Sequence, residues 1–290
     1  MENKGVVVGI IGLGLIGGST ALRLRKVGFA NRIVGADHSN KNIAKSIELN
    51  IVDEGLELNE LAHQADVIIV AIPVDASKKL IIELLNTARK NQIIIDFGST
   101  KSSIAQAVRN HKNRSNYVAC HPIAGTENSG PTAAFDSLFN EKVNIICDKE
   151  LSSNNALDTV LEITSQLGMR PKFMNSKEHD RHIAYVSHLS HISSFTLGQT
   201  VLEVEPNEEN IFDMAGSGFE STVRLAKSSP SMWAPIFTEN SENIIEVLSA
   251  YIANLEKYKL MIAQGNEEAL RKAMKQTNRI RTVLEKEPLS

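Results

Sequence analysis

An apolar run at 5–11 ends in Gly12-Leu13-Gly14-Leu15-Ile16-Gly17 and passes directly into a helical pattern. Few short stretches constrain a fold so tightly. The spacing G-x-G-x-x-G between strand and helix asks for a tight turn at Gly12, close approach of the backbone to a ligand at Gly14, and close helix–strand packing at Gly17. Leu15 and Ile16 complete that turn. The free N–H groups and positive dipole end of the helix that follows suit a pyrophosphate. A second signal stands where a dinucleotide site needs it. The next apolar run, 32–36, ends at Asp37, about twenty positions beyond the last glycine, where a carboxylate accepts hydrogen bonds from ribose hydroxyls. That carboxylate would also repel a 2′-phosphate, so NAD is expected in preference to NADP. His38, if protonated, would weaken the discrimination. Ala71 and Pro73 follow a third run and shape the loop where the nicotinamide-side ribose would lie. For Pro73 alone, a plain strand-ending proline is an equal reading.

The pattern continues through the first half of the chain. Runs at 5–12, 32–37, 66–72, 92–97, 117–121 and 143–147 are rich in Val and Ile without polar alternation. Such strands are buried on both faces, and the amphipathic stretches at 19–28 and 76–90 supply helical crossovers. The expectation is a doubly wound α/β domain with a parallel sheet over 1–174. From Asn175 the texture changes. Ser176 to Val204 reads as one long helix broken only at Gly198, and Ile244, Leu248, Tyr251, Leu255, Tyr258 and Ile262 form a heptad seam. Gly265 and Asn266 read as a stop and a cap, with one more helix reaching about Lys286. An all-helical domain over 175–290 is expected, its seam favouring a homodimer.

Composition excludes several classes. The net charge of −3 with mixed signs gives no footprint for nucleic acid or a membrane surface. No apolar run approaches the ~18 residues of a membrane span. The N-terminus enters a strand at once, leaving no room for a signal peptide, so a cytoplasmic protein is expected. Cys120 and Cys147 sit in apolar sequence and read as core residues rather than a disulfide.

Ligands of such folds lie beyond the carboxyl ends of the strands. Two segments bring polar groups there: Ser99, Thr100 and Lys101 after one strand, and His121, Thr126 and Glu127 after the next. A neutral His121 could take a proton as a hydroxyl is oxidised by hydride transfer to NAD, with Ser99 orienting that hydroxyl. The competing reading, a histidine capping a loop carbonyl, is weakened by the adjoining nucleotide site. In the helical half, His179, His182, His188 and His191 point in different directions on a helical wheel, and no acid or cysteine shares their spacing. No metal site is expected. Ser187 and His191 share a face, for which an ordinary solvated surface is the simpler reading of the residues alone.

Together these motifs resemble the prephenate and arogenate dehydrogenases of tyrosine biosynthesis. The resemblance runs through GLGLIGGS, IVGAD, AIPV, DFGSTK, HPIAGTENSG, SHLSH and GFESTVRLAKSSPSMW. It implies a Rossmann domain with a helical dimerisation domain, and NAD-dependent oxidative decarboxylation of prephenate without a metal. It further implies that His121 and Ser99 hold the C4 hydroxyl and that Arg224 pairs with the departing ring carboxylate, helped by His191 and Ser187. Lys101, Thr126, Glu127 and Trp233 would line the pocket or gate it, Lys101 on the cofactor side. Many relatives carry an acid three places before the arginine, where this chain has Ser221 beside Glu220. Neither an appended regulatory domain nor a preceding mutase part is expected. The rival readings are a β-hydroxyacid dehydrogenase, which would place a lysine where SHLSH stands, and a non-catalytic NAD sensor.

Overall fold

The computed structural model describes residues 5–205 and 210–285, and the chain divides into two compact units, 1–241 and 242–290. The larger unit is built on an eight-stranded sheet. Its strands are β1 (Val7–Ile11), β2 (Arg32–Ala36), β3 (Glu54–Gly55), β4 (Val67–Val70), β5 (Ile93–Asp96), β6 (Tyr117–Pro122), β7 (Val143–Cys147) and β8 (Arg170–Met174). They lie in the order β3-β2-β1-β4-β5-β6-β7-β8. The order reverses direction between β1 and β4, which opens a crevice at their carboxyl ends.

Successive strand residues supply opposite sides of the sheet, as the two-residue period requires. Val8, Ile10, Val67, Ile69, Ile93, Ile95, Val118 and Cys120 enter one core, whereas Ile11, Ile68, Val70, Ile94, Tyr117 and Ala119 enter the other. Helices α1 (Leu15–Lys26), α2 (Asn40–Glu48), α3 (Leu58–Gln64), α4 (Val74–Thr87), α5 (Ser102–Val108) and α6 (Asn154–Gln166) accompany these strands. The doubly wound arrangement expected from the unalternated strands is present. Cys120 and Cys147 are free, buried thiols.

One pairing departs from the expected parallel sheet. β6 and β7 are antiparallel, with His121 opposite Ile145, and β7 then pairs parallel with β8. The connection between β6 and β7 holds a single 3₁₀ turn, Pro131–Ala133. A parallel pair would need a helical crossover there. β8 also carries no apolar signal: four of its five residues are exposed, and Pro171 is tolerated at a sheet edge.

The remainder of the larger unit is helical. α7 (Ser176–Ile183) runs through a π-helical turn, Ala184–His188, into α8 (Leu189–Val204). The long helix therefore persists through Gly198, and its irregularity lies at Ala184–His188, well before the glycine. α9 (Ser217–Val223) and α10 (Pro230–Glu239) follow, and Trp233 and Ile236 of α10 pack with Val74 of α4.

The smaller unit contains α11 (Ser241–Ala263), α12 (Glu267–Thr277) and α13 (Ile280–Glu285). Gly265 has φ +60° and the Asn266 side chain accepts from the Ala269 N–H at 3.0 Å, so the stop and cap are where the sequence put them. Two short helices follow rather than one, and the expected end at Lys286 lies outside the described residues. Along the heptad seam Ile244 is buried, Leu248, Tyr251 and Tyr258 are half-buried, and Leu255 and Ile262 are exposed.

Candidate active site

The glycine turn is a cradle in its local geometry. Gly12 has φ +93°, and a Cβ there would stand 2.3 Å from the Ala71 carbonyl oxygen. A Cβ at Gly17 would meet the Gly12 carbonyl at 2.0 Å, so the first turn of α1 presses directly on the strand end. At Gly14 a Cβ would meet nothing within 4 Å. That openness, with no capping side chain and no acid in the first turn of α1, leaves space and N–H groups for an anionic ligand. A dinucleotide fits these residues. Leu15 is buried and Ile16 half-buried in the same turn, while Pro73 begins α4.

Asp37 sits at the end of β2 with its side chain 5% exposed. One oxygen accepts from the Leu13 N–H at 2.9 Å, and the other from the Ser39 N–H at 2.9 Å and Asn42 Nδ2 at 3.1 Å. The carboxylate is thereby locked against the glycine turn, with lone pairs remaining for ribose hydroxyls. The His38 ring lies 3.2 Å away and is almost fully exposed.

His121 lies at the end of β6, half-buried. Its Nδ1 is 2.8 Å from Nε2 of His179, whose Nδ1 is 2.7 Å from the Asp180 carboxylate. Burial first, then the neighbouring His179, Lys101 and His188, hold the His121 imidazole well below the usual histidine range. These surroundings favour the neutral form of the ring. Asp180 also accepts from the backbone N–H groups of Lys101 and Ser102, each at 2.8 Å, and so caps α5, which has no cap of its own. Burial alone would raise the Asp180 carboxyl, but the bonds from His179, Ser102 and Lys101 outweigh it and hold the group below its ordinary range.

Ser99 is half-buried in the loop after β5, whereas Thr100 is buried. Lys101 does not reach the crevice. Its side chain is 0% exposed, and its amine bonds to the Asp96 carboxylate and, at 2.8 Å, to the Cys120 carbonyl, while the Tyr117 hydroxyl donates to the same carboxylate at 3.1 Å. Lys101 is a buried cross-link between β5 and β6, placed away from the cofactor set in which the sequence put it.

In the helical segment, Arg224 follows α9, and its guanidinium lies 3.8 Å from the Glu127 carboxylate. Thr126, in the same exposed loop, accepts from the Asn128 N–H at 3.2 Å. His191 stacks on Trp233 with ring centroids 3.4 Å apart, and its Nδ1 donates to the Ser187 carbonyl at 3.0 Å. Burial lowers the His191 pKa; the Ser187 bond opposes this, and Arg224 nearby lowers it further. His188 is buried, bonded through Nδ1 to Asn240 at 3.2 Å, and burial depresses its pKa to about 4.

The structure thus brings His121 together with His179, and Arg224 with Glu127. The π turn at Ala184–His188 lies between His179 and His182 on one side and His191 on the other. Nothing in the sequence singles out His179 and Asp180 beyond an adjacent His-Asp at the start of a helix. Among the described residues no three His, Cys, Asp or Glu side chains gather as a metal site.

Comparison with known proteins joins these observations. Residues 20–172 match the family model "Prephenate dehydrogenase, nucleotide-binding domain", and residues 175–276 match "Prephenate dehydrogenase, dimerization domain". The chain is 29% identical over 283 residues to the cyclohexadienyl dehydrogenase of Zymomonas mobilis subsp. mobilis, covering 96% of this chain and 95% of that one. It is 28% identical over 268 residues to the prephenate dehydrogenase of Bacillus subtilis, covering 90% and 71%. The crystal structure of prephenate dehydrogenase from A. aeolicus in complex with hydroxyphenyl propionate and NAD+ superposes with a TM-score of 0.89 at 30% identity, covering 98% of this chain and all of that one.

Proposed function

The chain belongs to the prephenate dehydrogenase family, and we propose that it oxidises prephenate with NAD, giving 4-hydroxyphenylpyruvate, CO2 and NADH. His121 carries this reading: a half-buried imidazole at a strand end, held neutral by its surroundings. Bound NAD supplies the acceptor for the hydride that leaves C4. The glycine turn at Gly12–Gly17 seats the pyrophosphate, Asp37 the adenosine ribose, and Ala71 and Pro73 border the nicotinamide end.

His121 accepts the proton of the C4 hydroxyl, with Ser99 holding the same oxygen. Loss of CO2 from C1 then makes the ring aromatic, and the proton returns to the phenolate oxygen. Arg224 grips the ring carboxylate with a planar, two-pronged donor set, flanked by His191 and Ser187. Glu127, Thr126 and Trp233 border that end. Residues 1–174 serve as the nucleotide-binding domain, and 175–290 as the substrate and dimerisation domain.

A homodimer is supported by the match to a dimerisation domain and by Ile245, Ile252, Leu255 and Ile262, which are exposed along α11. A monomer in sedimentation equilibrium at micromolar concentration would rule it out. No helix among the described residues is long and apolar enough to cross a membrane, and we place the enzyme in the cytoplasm. Fractionation of the source cells would test this, and recovery with the membrane fraction would count against it.

A second reading is arogenate as substrate. The Glu127 carboxylate beside Arg224 offers a partner for an ammonium where prephenate has a keto group. Following NADH formation with prephenate and with arogenate, each with NAD and NADP, separates these readings. Prephenate with NAD is expected to turn over, and silence with all four pairs would end the proposal. His121→Asn should then lower kcat by about 10²–10⁴-fold with a smaller change in KM.

A further inference from the structure

We propose that Asp180 and His179 form a positioning pair that fixes which nitrogen of His121 faces the substrate. The inference rests on His121 being the base. A carboxylate holding two backbone N–H groups is an acceptor only. His179 Nδ1, at 2.7 Å from it, must therefore carry the proton of that contact. With one proton on its ring, His179 has its lone pair on Nε2, which can only accept. The facing atom, His121 Nδ1 at 2.8 Å, is then the donor. Proton counting leaves the lone pair of His121 on Nε2. The opposite tautomer would set two lone pairs against each other at hydrogen-bond distance.

His179 is 1% and Asp180 2% exposed, so water does not compete for these bonds. The pair also has something to do during turnover. As His121 takes the substrate proton, its Nδ1–H strengthens toward an acceptor backed by a carboxylate, which stabilises the imidazolium. Other charged or titratable groups near the rings include the Lys101–Asp96 ion pair, His188 with His191 beyond it, and the Cys147 thiol. Lys101 and His188 disfavour the imidazolium, and Asp180 is the anion placed to offset them. Asn240 donates to the Asp180 backbone carbonyl at 2.7 Å, which ties α7 to the end of α10.

A simple packing role for His179 would move none of these protons, and heteronuclear NMR of labelled histidine distinguishes the two. Wild-type His121 is expected in the Nδ1–H form, and the Nε2–H form would overturn the proposal. His179→Leu should release His121 into a mixture of tautomers and lower kcat about 10–100-fold, with KM for substrate and NAD within about twofold. His179→Gln, whose amide can donate to Asp180 and accept from His121, should restore the tautomer and most of kcat. A His179→Leu enzyme with unchanged tautomer or normal kcat would also overturn it. The wild-type spectrum requires no variant to fold and no turnover. An enzyme inert toward prephenate and arogenate would refute the proposed function, while the tautomer would still be decided by itself.

Discussion

Arg224 is where the proposed reading can be tested on a single side chain. Its guanidinium is half exposed and only loosely approached by Glu127, at 3.8 Å, so it is free to take a carboxylate from solution. A hydrogen bond to a charged group is worth roughly 1.5–3 kcal/mol, so Arg224→Ala should raise KM for the substrate about 10–100-fold and leave NAD affinity unchanged. Steady-state kinetics beside an NAD titration would check this, and weakened NAD binding would put Arg224 in the wrong site. His121, Ser99, Arg224 and Glu127 were legible in the sequence as candidates, because each stands beyond a strand or within a motif. The placement of Lys101 was not. A lysine two residues beyond Ser99 reads alike whether its amine turns toward the ligand or the sheet. What decides is the buried acceptor set of Asp96 and the Cys120 carbonyl, created only when β5 pairs with β6. His179 was missed for a similar reason, since its partner lies on a strand 58 residues away.

At the scale of elements, two glycines in one turn should respond oppositely to the same change. Gly14 has an ordinary φ of −81° and open space around a Cβ. Gly14→Ala should therefore fold normally and lose NAD affinity, because the added methyl occupies the ligand's space. Gly17→Ala drives a methyl into the Gly12 carbonyl and should cost ~1–3 kcal/mol of stability. Urea unfolding and NAD titration of both variants test the assignment, and a Gly14→Ala protein with native NAD affinity would refute the cradle. Six strands announced themselves through largely apolar runs, because burial on both faces leaves little polar alternation. β8 did not, since an exposed edge strand needs no apolar residues. The reversal at β7 was hidden for another reason: strand direction is set by the connection, not by the strand's own composition.

For the whole molecule, the buried histidines make stability depend on pH. His188 titrates near 4 when folded and about 6.5 when unfolded. The unfolded chain binds the extra proton first, so stability is lost as pH falls through that window, by up to ~3 kcal/mol for this group. His121 and His191, depressed in the same direction, add to the loss. The Asp180 carboxyl titrates below its ordinary range, so its contribution goes only at lower pH. Thermal unfolding should show Tm falling steadily from about pH 7 to about pH 4.5, and a flat profile would contradict the burial of these rings. Asp180 has a wider consequence. One carboxylate both starts α5 and holds the ring behind His121, so helix and imidazole share a single fastening. Were α7 to lift away from α5, the helix would lose its cap and the imidazole its support in the same movement. The arrangement works as an interlock: cap and ring support are assembled together or not at all.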